Sequence, residues 1–268
     1  MDNRNPDYNN YVEIADGIYW VGFYDINAGL RCNPYLIVDN NEAVLIDGGS
    51  RNDFSTVMLK IMRTGTDPKK IKRLIYQHYD PDLCGNIPHM EALIGSGDLK
   101  ILSHRDNNIF INYYSVKSSK ECIEDLGFGY YFSSGRKLSF IRTPYSHSSG
   151  SFVTYDEKTK VLFSSDLFGG YNADWKSHSG LHDKCARCSP ENVCPDTSKP
   201  CQIAGVWDFH KRIMTSTKAL RYALRQLEGL DISIIAPQHG NIYETPESCK
   251  IVTDSLNALT GVGIDQFI

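Results

Sequence analysis

Runs of apolar residues broken by polar turns define the chain's first elements. Residues 17–24, 35–38 and 43–46 read as strands, the last two joined by a turn at Asn40-Asn41. Residues 54–62 repeat their apolar side chains at helical spacing, with Asn52 or Asp53 placed to cap the start. After Gly127 and Gly129, strands resume at 137–142, 151–155 and 160–164, with Asp156-Glu157-Lys158 as a turn. Residues 209–227 carry Ile213, Leu220, Tyr222, Leu224 and Leu227 near a period of 3.6, which predicts one long helix. Two runs of strands with helices outside them predict an α/β fold of two packed sheets flanked by helices.

Candidate chemistry sits where the apolar runs stop. The run 74–76 ends in His78-Tyr79-Asp80-Pro81-Asp82, and Pro81 biases Asp80 toward extended backbone, so alternate side chains can share one side. His147, Asp166 and His239 follow the apolar segments 138–141, 161–163 and 232–236. Taken singly, each is more ordinarily a cap, a turn or a hydrogen-bonding residue. As a set, with 64, 18 and 72 residues separating Asp82, His147, Asp166 and His239, they describe ligands for two metal ions at one edge where four strands end.

That order resembles the metallo-β-lactamase superfamily, and within it the diiron domain of flavodiiron proteins and the stand-alone, oxygen-binding ODP-type sensors. The run Ala43-Val44-Leu45-Ile46-Asp47-Gly48-Gly49 is similar to the superfamily's early strand, and Pro237-Gln238-His239-Gly240 to its final ligand loop. Two positions depart from the zinc hydrolase pattern His-x-His-x-Asp-His: residue 80 is aspartate and residue 83 is leucine. Three imidazoles and three carboxylates form a harder set, better suited to iron or manganese than to zinc. Flavodiiron proteins place glutamate where Asp80 stands, so the carboxylate here is one methylene shorter.

The resemblance implies an αββα sandwich with two bridged, non-haem iron ions at its rim. One iron would take His78, Asp80 and His147, the other Asp82 and His239, with Asp166 bridging. It also points to Asp47 as a partner that steadies a ligand. Tyr79 and Tyr145 flank ligands, which makes them candidate hydrogen-bond donors to bound oxygen.

Composition fits a single domain over residues 1–268: the chain is 41% hydrophobic, with 16 Tyr and 11 Phe to fill a core, and nothing in it reads as a linker or repeat. A net charge of −4 argues against a nucleic-acid or anionic-membrane surface. No apolar stretch approaches the roughly 20 residues that span a bilayer. The polar start lacks the apolar core of a signal peptide, so a cytoplasmic location is expected.

Cys185, Cys188, Cys194 and Cys201 crowd into an insertion at about 178–205, rich in Pro, Ser, Asn and Asp. Four thiolates can enclose a zinc or iron ion and stiffen such a loop, and without signs of export a metal ranks ahead of disulfides. His178 and His182 lie close enough in sequence to replace a thiolate. Cys32, Cys84, Cys122 and Cys249 are scattered and read as ordinary buried residues, with Cys84 the nearest to the ligands. His89, His104 and His210 fall outside the ligand pattern and read as core or surface histidines.

Flavodiiron proteins usually carry a flavodoxin-like domain whose FMN feeds the irons. This sequence shows no such domain and no glycine-rich phosphate loop, so no FMN is expected in this chain. Three functions follow. The first is an oxygen or iron sensor that binds dioxygen as a diferric peroxo adduct and signals to a partner such as a chemoreceptor. The second is an oxygen or nitric oxide reductase fed by an external electron donor. The third is a zinc hydrolase, which Asp80 and Leu83 disfavour. A homodimer is expected from the resemblance alone.

Overall fold

The computed structural model describes residues 9–25, 28–171, 181, 183–190 and 201–268. In chain order the strands are β1 (Val12–Ala15), β2 (Ile18–Trp20), β3 (Phe23–Asp25), β4 (Leu30–Cys32), β5 (Tyr35–Asp39), β6 (Glu42–Ile46), β7 (Ile71–Ile75), β8 (Lys100–Ser103), β9 (Ser119–Cys122), β10 (Gly129–Tyr131), β11 (Lys137–Arg142), β12 (Phe152–Asp156), β13 (Val161–Phe163) and β14 (Ile234–Ala236). The helices are α1 (Phe54–Arg63), α2 (Pro81–Cys84), α3 (Ile87–Ile94), α4 (Arg105–Ile111), α5 (Gln202–Ile213), α6 (Thr217–Gln226) and α7 (Pro246–Ala258).

Among the described residues the strands form a seven-stranded sheet, β1-β2-β5-β6-β7-β8-β9, a five-stranded sheet, β10-β11-β12-β13-β14, and the hairpin β3-β4. Both large sheets begin antiparallel and turn parallel, from β6 onward in the first and at β13-β14 in the second.

Period-two alternation explains the layering. On β5 and β6, Tyr35, Ile37, Val44 and Ile46 point inward and meet Phe140, Phe152, Val161 and Phe163 of the other sheet. Leu36 and Leu45 point the other way and pack with Val57 and Ile61 of α1 and Ile87 and Met90 of α3. On the far side, Val153, Leu162 and Ile235 pack under Val206 of α5, Leu220 and Leu224 of α6, and Val252 of α7. Strands buried on both faces read as unbroken apolar runs, which is why 35–38 and 43–46 show little polar alternation. The result is the αββα sandwich of the metallo-β-lactamase fold.

Two expected elements are each divided. Residues 17–24 do not form one strand: the chain leaves the sheet after Trp20 and restarts at Phe23 as part of the hairpin. Gly22 sits at the break, where an added Cβ would lie 2.3 Å from the Cys32 carbonyl oxygen and 2.5 Å from Trp20 Nε1. The helix expected over 209–227 begins earlier, at Gln202, and stops at Ile213. Met214 turns extended, and the Ser216 side chain then caps α6 by accepting from Ala219 N at 3.2 Å. The apolar period runs through the break because both helices bury against the same core.

Asp53 starts α1 without a side-chain cap and instead receives the Ser50 hydroxyl. The turn at Asn40 is present, with φ of 52°. Of the cysteine insertion, Cys194, His178 and His182 lie outside the described residues. Cys185, Cys188 and Cys201 pack against the α5–α7 core, and Cys201 precedes α5.

Candidate metal centre

All six candidate ligands meet at one rim of the sandwich. The segment after β7 stays paired, with Tyr76 N donating to Leu102 O, and Asp47 Oδ1 accepts from Gln77 N at 3.3 Å, so His78 leaves the sheet edge in a fixed direction. His78 Nδ1 meets Ser165 Oγ at 2.9 Å. With Nδ1 donating there, Nε2 keeps its lone pair for the cage.

Asp80 is extended, at φ −70° and ψ 155°, as Pro81 requires. The chain then turns into α2, which places Asp82 in its first turn and sends Leu83 and Cys84 into the core. This turn separates the two carboxylates. Asp80 Oδ2 lies 3.4 Å from His147 Nε2 and 3.9 Å from His78 Nε2, whereas Asp82 Oδ2 lies 3.2 Å from His239 Nε2.

Asp166 follows β13 and stands between these groups, almost wholly buried. Its Oδ2 is 2.9 Å from His147 Nε2 and 3.9 Å from His78 Nε2, and its Oδ1 is 3.5 Å from His239 Nε2. His239 is held from behind by β4 and the residue that follows it. Its Nδ1 donates to the Arg31 carbonyl at 2.8 Å. Asn33 binds the ligand loop three times, through its backbone N to Gln238 O and its Nδ2 to Pro237 O and Gly240 O. Trp20 Nε1 fixes the Asn33 amide by donating to Oδ1 at 2.8 Å, and Tyr35 OH also donates to Pro237 O.

Charge at the rim is strongly coupled. Burial alone would raise Asp166, but the imidazoles of His78, His239 and His147 hold its carboxyl well below the usual range. Asp82 is likewise lowered against its burial, chiefly by its hydrogen bond with His239. Burial works against protonation of His147 and His239, yet Asp166 pushes His147 up to about 9 and Asp82 carries His239 well above the ordinary value. His78 goes the other way, lowered first by burial despite Asp166, with His147 adding to the effect. The carboxylates therefore demand positive charge at this rim.

Two groups of side chains can hold an ion: His78, His147 and Asp166, and Cys32, Asp82 and His239, each with ligand atoms within 4.8 Å of one another. Iron fits these residues on two grounds. The buried Asp166 Oδ1 has no hydrogen-bond donor, as an oxygen reserved for a cation would. The six predicted ligands also supply nitrogen and oxygen in equal number, the donor type that iron accepts.

Asp47 lies behind the cage, fully buried and raised by that burial. The Tyr79 ring stacks on Phe110 at 4.4 Å, and its carbonyl accepts from Tyr114 OH at 2.7 Å. Tyr145 is 58% exposed, and its backbone N donates to Ser148 O within the His147 loop. Cys84 donates to the His78 carbonyl from the core.

Three residues that support the site, Ser165, Arg31 and Asn33, carry no signal in the sequence, whereas His210 is the core histidine expected. Ser165 adjoins a ligand but carries no motif, the Arg31 contact is made by a backbone atom, and Asn33 acts across 204 to 207 residues. His210 Nε2 accepts from Phe168 N at 3.1 Å, so it braces the loop beyond Asp166. Cys32 is buried as expected, and it lies beside Asp82 and His239.

An αββα sandwich with a His- and Asp-lined rim defines the class of metallo-β-lactamase-like proteins, which includes diiron proteins. The chain belongs to the ODP family beta lactamases, whose profile matches residues 30–240. It is similar to the solved structure of a peroxy diiron species of the chemotaxis sensor ODP, with a TM-score of 0.73 and 25% identity over 96% of this chain and 97% of that one. It is 24% identical to the coenzyme F420H(2) oxidase of Methanocaldococcus jannaschii, covering 87% of this chain and 57% of the relative. It is 28% identical to the nitric oxide reductase of Moorella thermoacetica, over 60% of this chain and 43% of that one. The chain thus spans about half the length of the curated relatives it matches.

Proposed function

We propose that this chain is a cytoplasmic non-haem diiron protein that binds dioxygen and reports oxygen or iron status to a signalling partner, its 268 residues forming one metallo-β-lactamase-like unit. His78, Asp80 and His147 would hold one iron, Asp82 and His239 the other, and Asp166 would bridge them. Iron held by these residues would supply the electrons for binding dioxygen. The protein's part is to keep the imidazoles aligned, through Ser165 and the Arg31 carbonyl, and to bury the bridging carboxylate from water.

The observation that carries this reading is the Asp166 carboxylate, which turns one oxygen toward each group of imidazoles. The near end-to-end match with a chemotaxis sensor supports the signalling role. The test is stopped-flow absorption on anaerobically reduced, iron-loaded protein mixed with oxygen. A long-lived visible band is expected, and immediate decay to the plain diferric spectrum would count against sensing.

Similarity to an oxidase and a nitric oxide reductase favours a second reading, a reductase fed by an external redox donor. Steady oxygen or nitric oxide consumption with a reduced donor, at roughly tens per second, would place it first. Elemental analysis of protein purified without added metal separates both from a zinc hydrolase. It also counts any third ion held by Cys185, Cys188, Cys194 and Cys201.

A further inference from the structure

The two ion positions are unequally supplied with protein donors. Around the first stand His78, Asp80, His147 and one oxygen of Asp166, and around the second Asp82, His239 and the other oxygen of Asp166. Leu83, next to Asp82, is fully buried in the α1–α3 core and offers nothing. Among the described residues one further ligand-type side chain reaches this position, Cys32.

Cys32 is 2% exposed, with its sulfur 3.9 Å from His239 Nδ1. The ligand atoms of Cys32, Asp82 and His239 meet the same 4.8 Å limit as those of His78, His147 and Asp166. The thiol thus lies within ligand range of this group, on the Nδ1 side of the His239 ring that the Arg31 carbonyl also faces. A second observation points at the same place: the buried, donor-less Asp166 Oδ1 faces it, 3.5 Å from His239 Nε2. Delivery of the sulfur is built into the backbone. Arg31 orients the His239 imidazole through its carbonyl, Asn33 clamps the ligand loop, and Cys32 lies between them.

We propose that Cys32 binds the second metal ion as a thiolate, so that the pair has one position of nitrogen and oxygen and one that includes sulfur. The proposal rests on the two-iron reading above. On binding, the S–H proton passes to solvent and a metal–sulfur bond forms, with no change of oxidation state. A bond of about 2.3 Å to sulfur and about 2.1 Å to nitrogen or oxygen needs donors roughly 3–4 Å apart, a spacing that lies inside the 4.8 Å span of this group. The softer donor shifts the second position toward ions that favour sulfur and sets the two irons apart.

The experiment is iron K-edge X-ray absorption on the full chain loaded anaerobically with two equivalents of Fe(II). Wild type is compared with Cys32→Ser, Cys32→Asp and, to account for iron in the cysteine-rich insertion, the double variant Cys185→Ser/Cys188→Ser. A sulfur shell near 2.3 Å is expected in the wild type and the double variant and not in Cys32→Ser. Cys32→Ser should also hold its second iron at least about tenfold more weakly, and Cys32→Asp should recover two irons without the shell. Two bound irons with no sulfur shell in the wild type, or a shell that survives in Cys32→Ser, would overturn the proposal while leaving the diiron reading intact. A wild type that binds only one iron would defeat both. If Cys32→Ser does not fold, the wild-type and Cys32→Asp spectra decide the matter.

Discussion

His210 shows how a single residue ties the core to the metal rim. Its Nδ1–H donates to Val206 O at 2.8 Å, and its Nε2 accepts from Phe168 N, two residues beyond Asp166, so the ring must be neutral. Burial depresses it to about 4, against a small opposing pull from Val206 and Asp166. The unfolded chain would protonate this histidine near 6.5, so between about 6.5 and 4 the unfolded state binds more protons. The stability it contributes is complete above that window and is lost as the pH falls through it, roughly 2 kcal/mol of it by pH 5. Urea unfolding at pH 7 and pH 5 should show this loss in the wild type and a flatter dependence in His210→Leu. Equal slopes would refute the assignment. Sequence alone placed His210 among ordinary core histidines, because its partner is a backbone N–H that only folding brings within reach.

At the scale of elements, local pattern located the central strands but not β1, β4, β8, β9 or β10, and it missed the interruptions. The apolar period over 209–227 continues across two helices because α5 and α6 bury against one core. The local mark of the break is Ser216-Thr217, a capping residue inside an otherwise periodic run. Ser216→Ala removes the acceptor for Ala219 N and should cost about 1 kcal/mol, seen as a lower urea midpoint with an unchanged slope. The two-way split of 17–24 had no such mark beyond Gly22, whose need for space comes from Cys32 in another strand. Conversely, the extended Asp80 was legible from Pro81, a steric effect between adjacent residues.

Across the whole molecule, the rim concentrates buried charge that a cation would balance, so metal loading and folding are coupled. Chelation should lower the thermal midpoint, and adding Fe(II) back under anaerobic conditions should restore it. Binding must also displace the proton that Asp166 holds on His147, which is pushed up to about 9. Apparent iron affinity should therefore climb from pH 6 toward 9, by up to about tenfold per unit for that single proton. Competition with a calibrated chelator across this range would check the direction, and an affinity that ignored pH would contradict it. No helix among the described residues is long and apolar enough to cross a membrane.

What the sequence determined by itself was the layered fold, the family and the identity of the six ligand candidates, because side-chain period and ligand order are properties of the chain as written. The family resemblance already implied how those ligands would divide, but the physical cause of that arrangement lies in the tertiary structure. Asp80 and Asp82 face different imidazoles because α2 begins between them, and Asp166 turns one oxygen to each group. It also brought Cys32 beside His239 across 207 residues. Such contacts arise from packing two sheets and a hairpin together, and packing across that distance leaves no trace in local period or spacing.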